Sequence, residues 1–101
     1  DVVHKEYTFT AKLWLYPGKA AWHFISVPPE ETEDINYYFE HAKRGWGSLK
    51  VTVTIGTTTW KTSIFPDKKT STFLLPIKKA VRDAEDLVAG NEVQVLLLLA
   101  D

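Results

Sequence analysis

Lys78, Lys79 and Arg82 lie on the outward arc of a short helical repeat, opposite Ile77, Ala80, Val81 and Ala84. With Lys61, Lys50 and Arg44 they form a basic set that could converge near the start of that helix. Cationic side chains beside a helix N-terminus suit anions, and phosphate groups, including those of nucleic acid, are the natural guests. Trp46, within Gly45-Trp46-Gly47-Ser48, joins Arg44, Lys61, Lys78, Lys79 and Arg82 as a candidate ligand-binding residue. That Gly-Trp-Gly-Ser run lacks the third glycine of a dinucleotide fingerprint and follows a helix rather than a strand. Its plainer reading is a helix stop leading into a strand, with Trp46 as a lid on the core.

Other chemistries find little support. His4, His23 and His41 share no metal-ligand spacing, and a zinc or iron site needs three or four converging ligands. Ser26, Ser48, Ser63 and Ser71 sit in no Gly-x-Ser-x-Gly elbow, and no acid partners a histidine in an evident triad. Glu30, Glu31, Glu33 and Asp34 read as the acidic first turns of a helix rather than as an acid–base pair. The absence of cysteine excludes a disulfide framework, a thiolate zinc site and a cysteine nucleophile. No catalytic residue, metal site or cofactor is therefore assigned, and the chain reads as a non-enzyme.

Charge is distributed unevenly along the chain. Residues 1–42 carry a net −4, residues 43–82 a net +8 and residues 83–101 a net −5, within a total of −1. The basic middle suggests an anionic partner, although lysines on solvent faces of edge strands also serve to block aggregation. The absence of a base-reading motif and a pI near 6.3 argue against a dedicated nucleic-acid binder.

These residues need elements to hold them. Tyr7, Phe9, Ala11, Leu13 and Leu15 alternate with polar and aromatic residues, so 6–16 is a long strand. Pro17-Gly18-Lys19 turns the chain, and residues 21–27 return as its hairpin partner, with Trp22, Phe24 and Ser26 on one face. Trp14 and Tyr16 form a second apolar face, expected to pack under a helix or to line a pocket. Pro28-Pro29 ends that hairpin. Ile35, Tyr38, Phe39 and Ala42 then form the stripe of a helix over 29–43, capped at Gly45. Residues 49–55 and 58–64 make a second hairpin around Gly56-Thr57. Residues 66–69 turn, and 71–75 form a fifth strand. Pro76 is placed as the first residue of a second helix over 77–88, which Gly90-Asn91 stops. Val93, Val95, Leu97 and Leu99 define a last strand that becomes apolar on both faces. Such a strand is central in a closed barrel or buried against a partner chain.

The 101 residues thus form a single domain, a mainly β chain built as a small closed or partly closed barrel of about six strands with two short helices capping it. No segment has the apolar length of a membrane span, and residues 1–11 hold no signal-peptide core. The expected location is cytoplasmic. The lack of methionine even at position 1 points to a processed or excised chain.

Three stretches carry a family likeness: 9–13 with Trp22-His23-Phe24 and Val27-Pro28; Gly45 to Val51 with Thr59 to Pro66; and Leu74 to Arg82 with Gly90-Asn91-Glu92-Val93. Together they resemble the bacterial family called domain of unknown function 1905, over nearly the whole chain. Asn91 stands where that pattern has an acid. The resemblance implies a small β-barrel and no particular chemistry; some relatives carry a second small domain, which this sequence does not contain. By analogy of fold, it also suggests the swapped-hairpin barrels of small transcription regulators. The expected function is a non-enzymatic module binding a small ligand or a protein, with a homodimer through the C-terminal strand. Anion or nucleic-acid binding by the basic middle is the alternative, and an enzyme with an unusual site the third.

Overall fold

The structure, a computed structural model, describes residues 3–18 and 21–101. Lys19 of the first expected turn lies outside the described residues. Six strands run in chain order with two helices between them: β1 His4–Leu15, β2 His23–Ser26, α1 Pro29–Phe39, β3 Leu49–Ile55, β4 Thr58–Asp67, β5 Thr72–Pro76, α2 Lys79–Ala84 and β6 Glu92–Ala100. All strand pairs are antiparallel and the sheet closes on itself in the order β1-β2-β5-β4-β3-β6. The expected closed six-stranded barrel with two short helices is the observed fold.

Strand alternation sorts the side chains as the pattern requires. Tyr7, Phe9 and Leu13 from β1, Val51 and Val53 from β3, and Val93, Val95, Leu97 and Leu99 from β6 are buried together. β6 is a central strand of the closed sheet: it pairs with β1 along one edge and with β3 along the other. Strand addition to β6 is therefore closed off from Leu96 to Leu98, where both neighbours are paired. Leu96 and Leu98 face outward and are half-buried.

α1 begins where Pro29 can occupy the first turn without wasting an amide donor, and Glu30 and Glu31 complement its dipole. Its buried residues are Thr32, Ile35 and Phe39. Thr32 supplies the polar contacts: its hydroxyl donates to the Val27 carbonyl at 3.1 Å and accepts from the Phe73 amide at 3.4 Å. The helix ends earlier than its hydrophobic period suggests, passing into a 3-10 turn over Glu40–Ala42. Tyr38, expected in the core stripe, is exposed, because the buried stripe is rotated toward Thr32.

Several boundaries differ for local reasons. Pro66 and Asp67 extend β4 opposite Phe73 and Thr72 instead of turning; a missing amide matters least near a strand end. Pro76 ends β5 opposite Phe24 and does not open α2, whose N-cap is Lys78. Helix α2 spans six residues, and not 77–88, because Asp86 adopts a left-handed φ of 53°. The Leu87 amide then bonds to the Arg82 carbonyl at 2.8 Å and the Asp86 amide to Asp83 at 3.5 Å, a Schellman stop with aspartate in the usual glycine place. Gly45 is no helix cap. It opens a 3-10 turn over Gly45–Gly47 in which Trp46 itself takes φ 64°. Trp46 is 94% exposed, so it is not a lid on the core.

A pin holds α2 against the barrel. Glu85, just beyond it, accepts from the Thr58 hydroxyl at 2.6 Å, beside the β3–β4 turn. Gly56 in that turn has φ +59°, and a β-carbon there would lie 2.0 Å from Glu85 Oε1. Gly45, by contrast, has open space around it and no positive φ. Gly56→Ala is expected to cost on the order of 2 kcal/mol, from left-handed strain plus the displaced pin. Gly45→Ala should stay within about 0.5 kcal/mol. Urea unfolding of both variants checks this; equal losses would refute the pin.

Candidate functional site

The two walls of a hollow meet where β2 abuts the start of α2. The Ile77 amide donates to the His23 carbonyl at 2.9 Å, so the segment entering α2 continues the β2–β5 pairing. Arg82, one turn along, folds back and donates through Nη1 to the Ile77 carbonyl at 2.7 Å. That bond orients the guanidinium and leaves its other N–H groups available. On the β2 side, His23 Nδ1 lies 2.7 Å from the Ala21 carbonyl, which can only accept, so Nδ1 carries the proton and Nε2 remains the open ring nitrogen. β4 contributes Trp60, Lys61 and Thr62.

The resulting hollow has a volume of about 490 Å³ and is lined by Trp22, His23, Trp60, Lys61, Ile77, Lys78, Lys79 and Arg82, among others. Four of the six sequence candidates thus gather in one place. Lys79 is paired with Asp83 at 2.7 Å along the helix. Lys61, Lys78 and Arg82 have no carboxylate at ion-pair distance among the described residues. None of the hollow's lining residues is an acid.

Arg44 and Trp46 do not join them. They belong to the 3-10 turn before β3, where the Arg44 amide bonds to the Ser48 carbonyl at 2.8 Å and Gly47 lies against Pro66. Lys50 also stays outside this hollow and lines a neighbouring one with Lys61 and Phe65. Residues the sequence reading left out are Trp22, His23 and Trp60. Trp60 alternates onto the face of the buried Ile64 and packs partly against the core, and Trp22 stands at the entry of β2, so only the β2–β5 and β4–β5 pairings bring them to the basic set.

Trp22 is 57% exposed and rests on Phe24, with ring centroids 5.8 Å apart. Phe24 in turn packs on Trp14 at 5.4 Å and Tyr16 at 6.0 Å. The neighbours of Trp14 and Tyr16 are thus rings of their own hairpin, where the sequence points to a covering helix. The Trp14 indole N–H donates to Ser26 at 3.1 Å. This aromatic stack on the outside of the barrel gives Trp22 a fixed backing at the mouth of the hollow.

A second, oppositely charged surface surrounds α1. Glu30, Glu31, Glu33 and Asp34 line a hollow with Lys5, Glu6, Tyr7, Tyr37 and Tyr38. The Tyr7 hydroxyl donates to Asp34 at 2.5 Å, and Lys5 reaches the same carboxylate at 2.9 Å while lying 4.1 Å over the Tyr38 ring. At the chain's end Asp101 accepts from the Val3 amide at 2.8 Å and meets His41 at 2.7 Å. Those bonds hold the Asp101 carboxyl below the usual carboxylate range, the Val3 amide contributing most. No three His, Asp or Glu side chains among the described residues gather as metal ligands, and no helix there is long and apolar enough to cross a membrane.

The family model described as a domain of unknown function, DUF1905, matches residues 9–97. The chain belongs to the DUF1905 family. That match spans the whole barrel except the start of β1 and the end of β6, and it includes every residue named in the basic hollow. No curated protein matches the chain.

The Tyr7–Asp34 bond makes this DUF1905 barrel sensitive to pH in a stated direction. Burial first, and then Asp34, push the Tyr7 hydroxyl well above its ordinary range. Tyr7 first, and then Lys5, hold the Asp34 carboxyl below its own. A lowered carboxyl contributes stability above about pH 4 that is lost as pH falls through its folded value. A raised phenol contributes stability below about pH 10 that is lost as pH rises through its folded value. Tyr7→Phe should therefore flatten both limbs of a melting-temperature profile run from about pH 3 to about pH 11. A variant profile parallel to the parent's would contradict the linkage.

Proposed function

We propose that this DUF1905 domain is a non-enzymatic binding module that takes a small organic anion bearing a flat ring in the hollow between β2, β4 and α2. The observation that carries the reading is the convergence of Trp22, Trp60, Lys61, Lys78 and Arg82 in one hollow without an acid. Its volume, about 490 Å³, lies within the range of small-molecule sites. Trp22 and Trp60 offer ring faces, and Lys61, Lys78 and Arg82 offer charge-assisted donors. Arg82 and His23 are already oriented by the Ile77 and Ala21 carbonyls, which lowers the ordering cost of binding.

His23 Nε2 is the one open imidazole nitrogen in the hollow, and no carboxylate, serine or cysteine among the lining residues stands with it to complete a nucleophile–base pair.

Thymidine 5′-monophosphate is a suitable probe because it joins a ring to a phosphate. By isothermal titration it should bind while thymidine, lacking the phosphate, does not measurably do so. Lys61→Ala and Lys78→Ala should each weaken binding on the order of tenfold, as loss of a charge-assisted contact does. Equal binding of nucleotide and nucleoside, or of parent and both variants, would refute the reading.

A further inference from the structure

The basic hollow does not end at Lys61. Lys61 and Thr62 also line a second hollow of about 600 Å³ on the outer face of β3, β4 and β6, together with Lys50, Thr52, Ser63, Phe65 and Leu98. The shared residues make the two hollows one path over the barrel. Strand register fixes its spacing. Lys50 stands opposite Ser63 and Thr52 opposite Lys61, so Lys50 and Lys61 are diagonal neighbours, roughly 7–8 Å apart at their backbones. Lys61, Ser63 and Phe65 share the outward face of β4, and Phe65 is 41% exposed.

Along this path lie Lys78, Arg82, Lys61 and Lys50, none with a carboxylate at ion-pair distance among the described residues. Neither hollow is lined by an acid, whereas Glu6, Glu30, Glu31, Glu33 and Asp34 collect around α1. A near-neutral pI is therefore the average of two opposed surfaces and is no argument against a polyanion. Trp22, Trp60 and Phe65 punctuate the cations with ring faces. A cationic groove interleaved with aromatics is what a single nucleic-acid strand requires: phosphates follow the charge and unpaired bases stack. A duplex cannot offer its bases to such rings.

We infer that the extended path binds a single-stranded nucleic acid, with phosphates along Lys78, Arg82, Lys61 and Lys50 and bases against Trp22, Trp60 and Phe65. The inference rests on the anion-site reading of the first hollow and lengthens its ligand.

The test is a length series measured on the intact chain by competition: thymidine 5′-monophosphate, then oligothymidylates of two, four and eight nucleotides, and a duplex of the same length as the octamer. Affinity should rise with length on the order of tenfold for each further base that finds a ring. For four neutralised phosphates the octamer's log K should fall against log salt with a slope of about −3. Lys50→Ala should reduce that slope by about 0.7, and Phe65→Ala should weaken the octamer on the order of tenfold without changing it. An octamer no tighter than the mononucleotide overturns the inference and leaves the small-anion site standing. A duplex that binds as well as the octamer also overturns it, since stacking would then play no part. Failure of mononucleotide and octamer alike removes both readings.

Discussion

Closure of the sheet between the first and last strands is the constraint on which the rest of the molecule depends. β1 and β6 are matched along nine consecutive pairs, from His4 with Ala100 to Lys12 with Glu92. Because side chains alternate across a strand, this register decides at once that Tyr7, Phe9, Val95, Leu97 and Leu99 fill the interior. A slip of one residue would turn those side chains to water. Closure also leaves no open edge along the middle of β6, which removes the usual aggregation hazard of an apolar strand. The tie continues beyond the strands, where Asp101 holds the Val3 amide and His41.

With the barrel fixed, its outside becomes the place where function can reside, and the two faces differ in charge. α1 lies over one side with its acids and with Lys5 bound to Asp34. On another, the short β2 and β5 bring Trp22 and His23 to Ile77, and α2 is held from both ends. Its beginning is joined to β2 through the His23 carbonyl and its end to the β3–β4 turn through Glu85. Arg82 therefore stands on a braced element, with Lys78 at its entry and Lys61 on the neighbouring β4. Arg82, whose guanidinium is already held by the Ile77 carbonyl, loses little entropy on meeting an anion, which distinguishes it from the exposed lysines of the turn after β4.

Much of the fold was legible because period-two patterning is unambiguous where one face is wet: β1, β3 and β6 follow directly from their alternating residues. The ends of elements were not legible. Asp86 takes a glycine-like conformation that its side chain does not announce, so α2 stops after Ala84. Pro66 and Pro76 look like breakers but sit within strands, since a barrel can accommodate them where a donor is not needed. The candidate site shows the same division. Lys61, Lys78, Lys79 and Arg82 were legible as a basic set, and the structure gathers them. Arg44 and Trp46 share their composition but belong to a separate turn. The contributions of Trp22, His23 and Trp60 depend on which strands neighbour β5, and that order, non-sequential in the chain, has no local signature.

The most direct test of the account is a heteronuclear single-quantum coherence titration of the nitrogen-labelled chain with thymidine 5′-monophosphate. Saturable shifts are expected, confined to Trp22 and His23, to Trp60 through Thr62, to Ile77 through Arg82, and to the indole N–H signals of Trp22 and Trp60. Shifts centred instead on α1, or spread without saturation over the lysines of the whole surface, would contradict it.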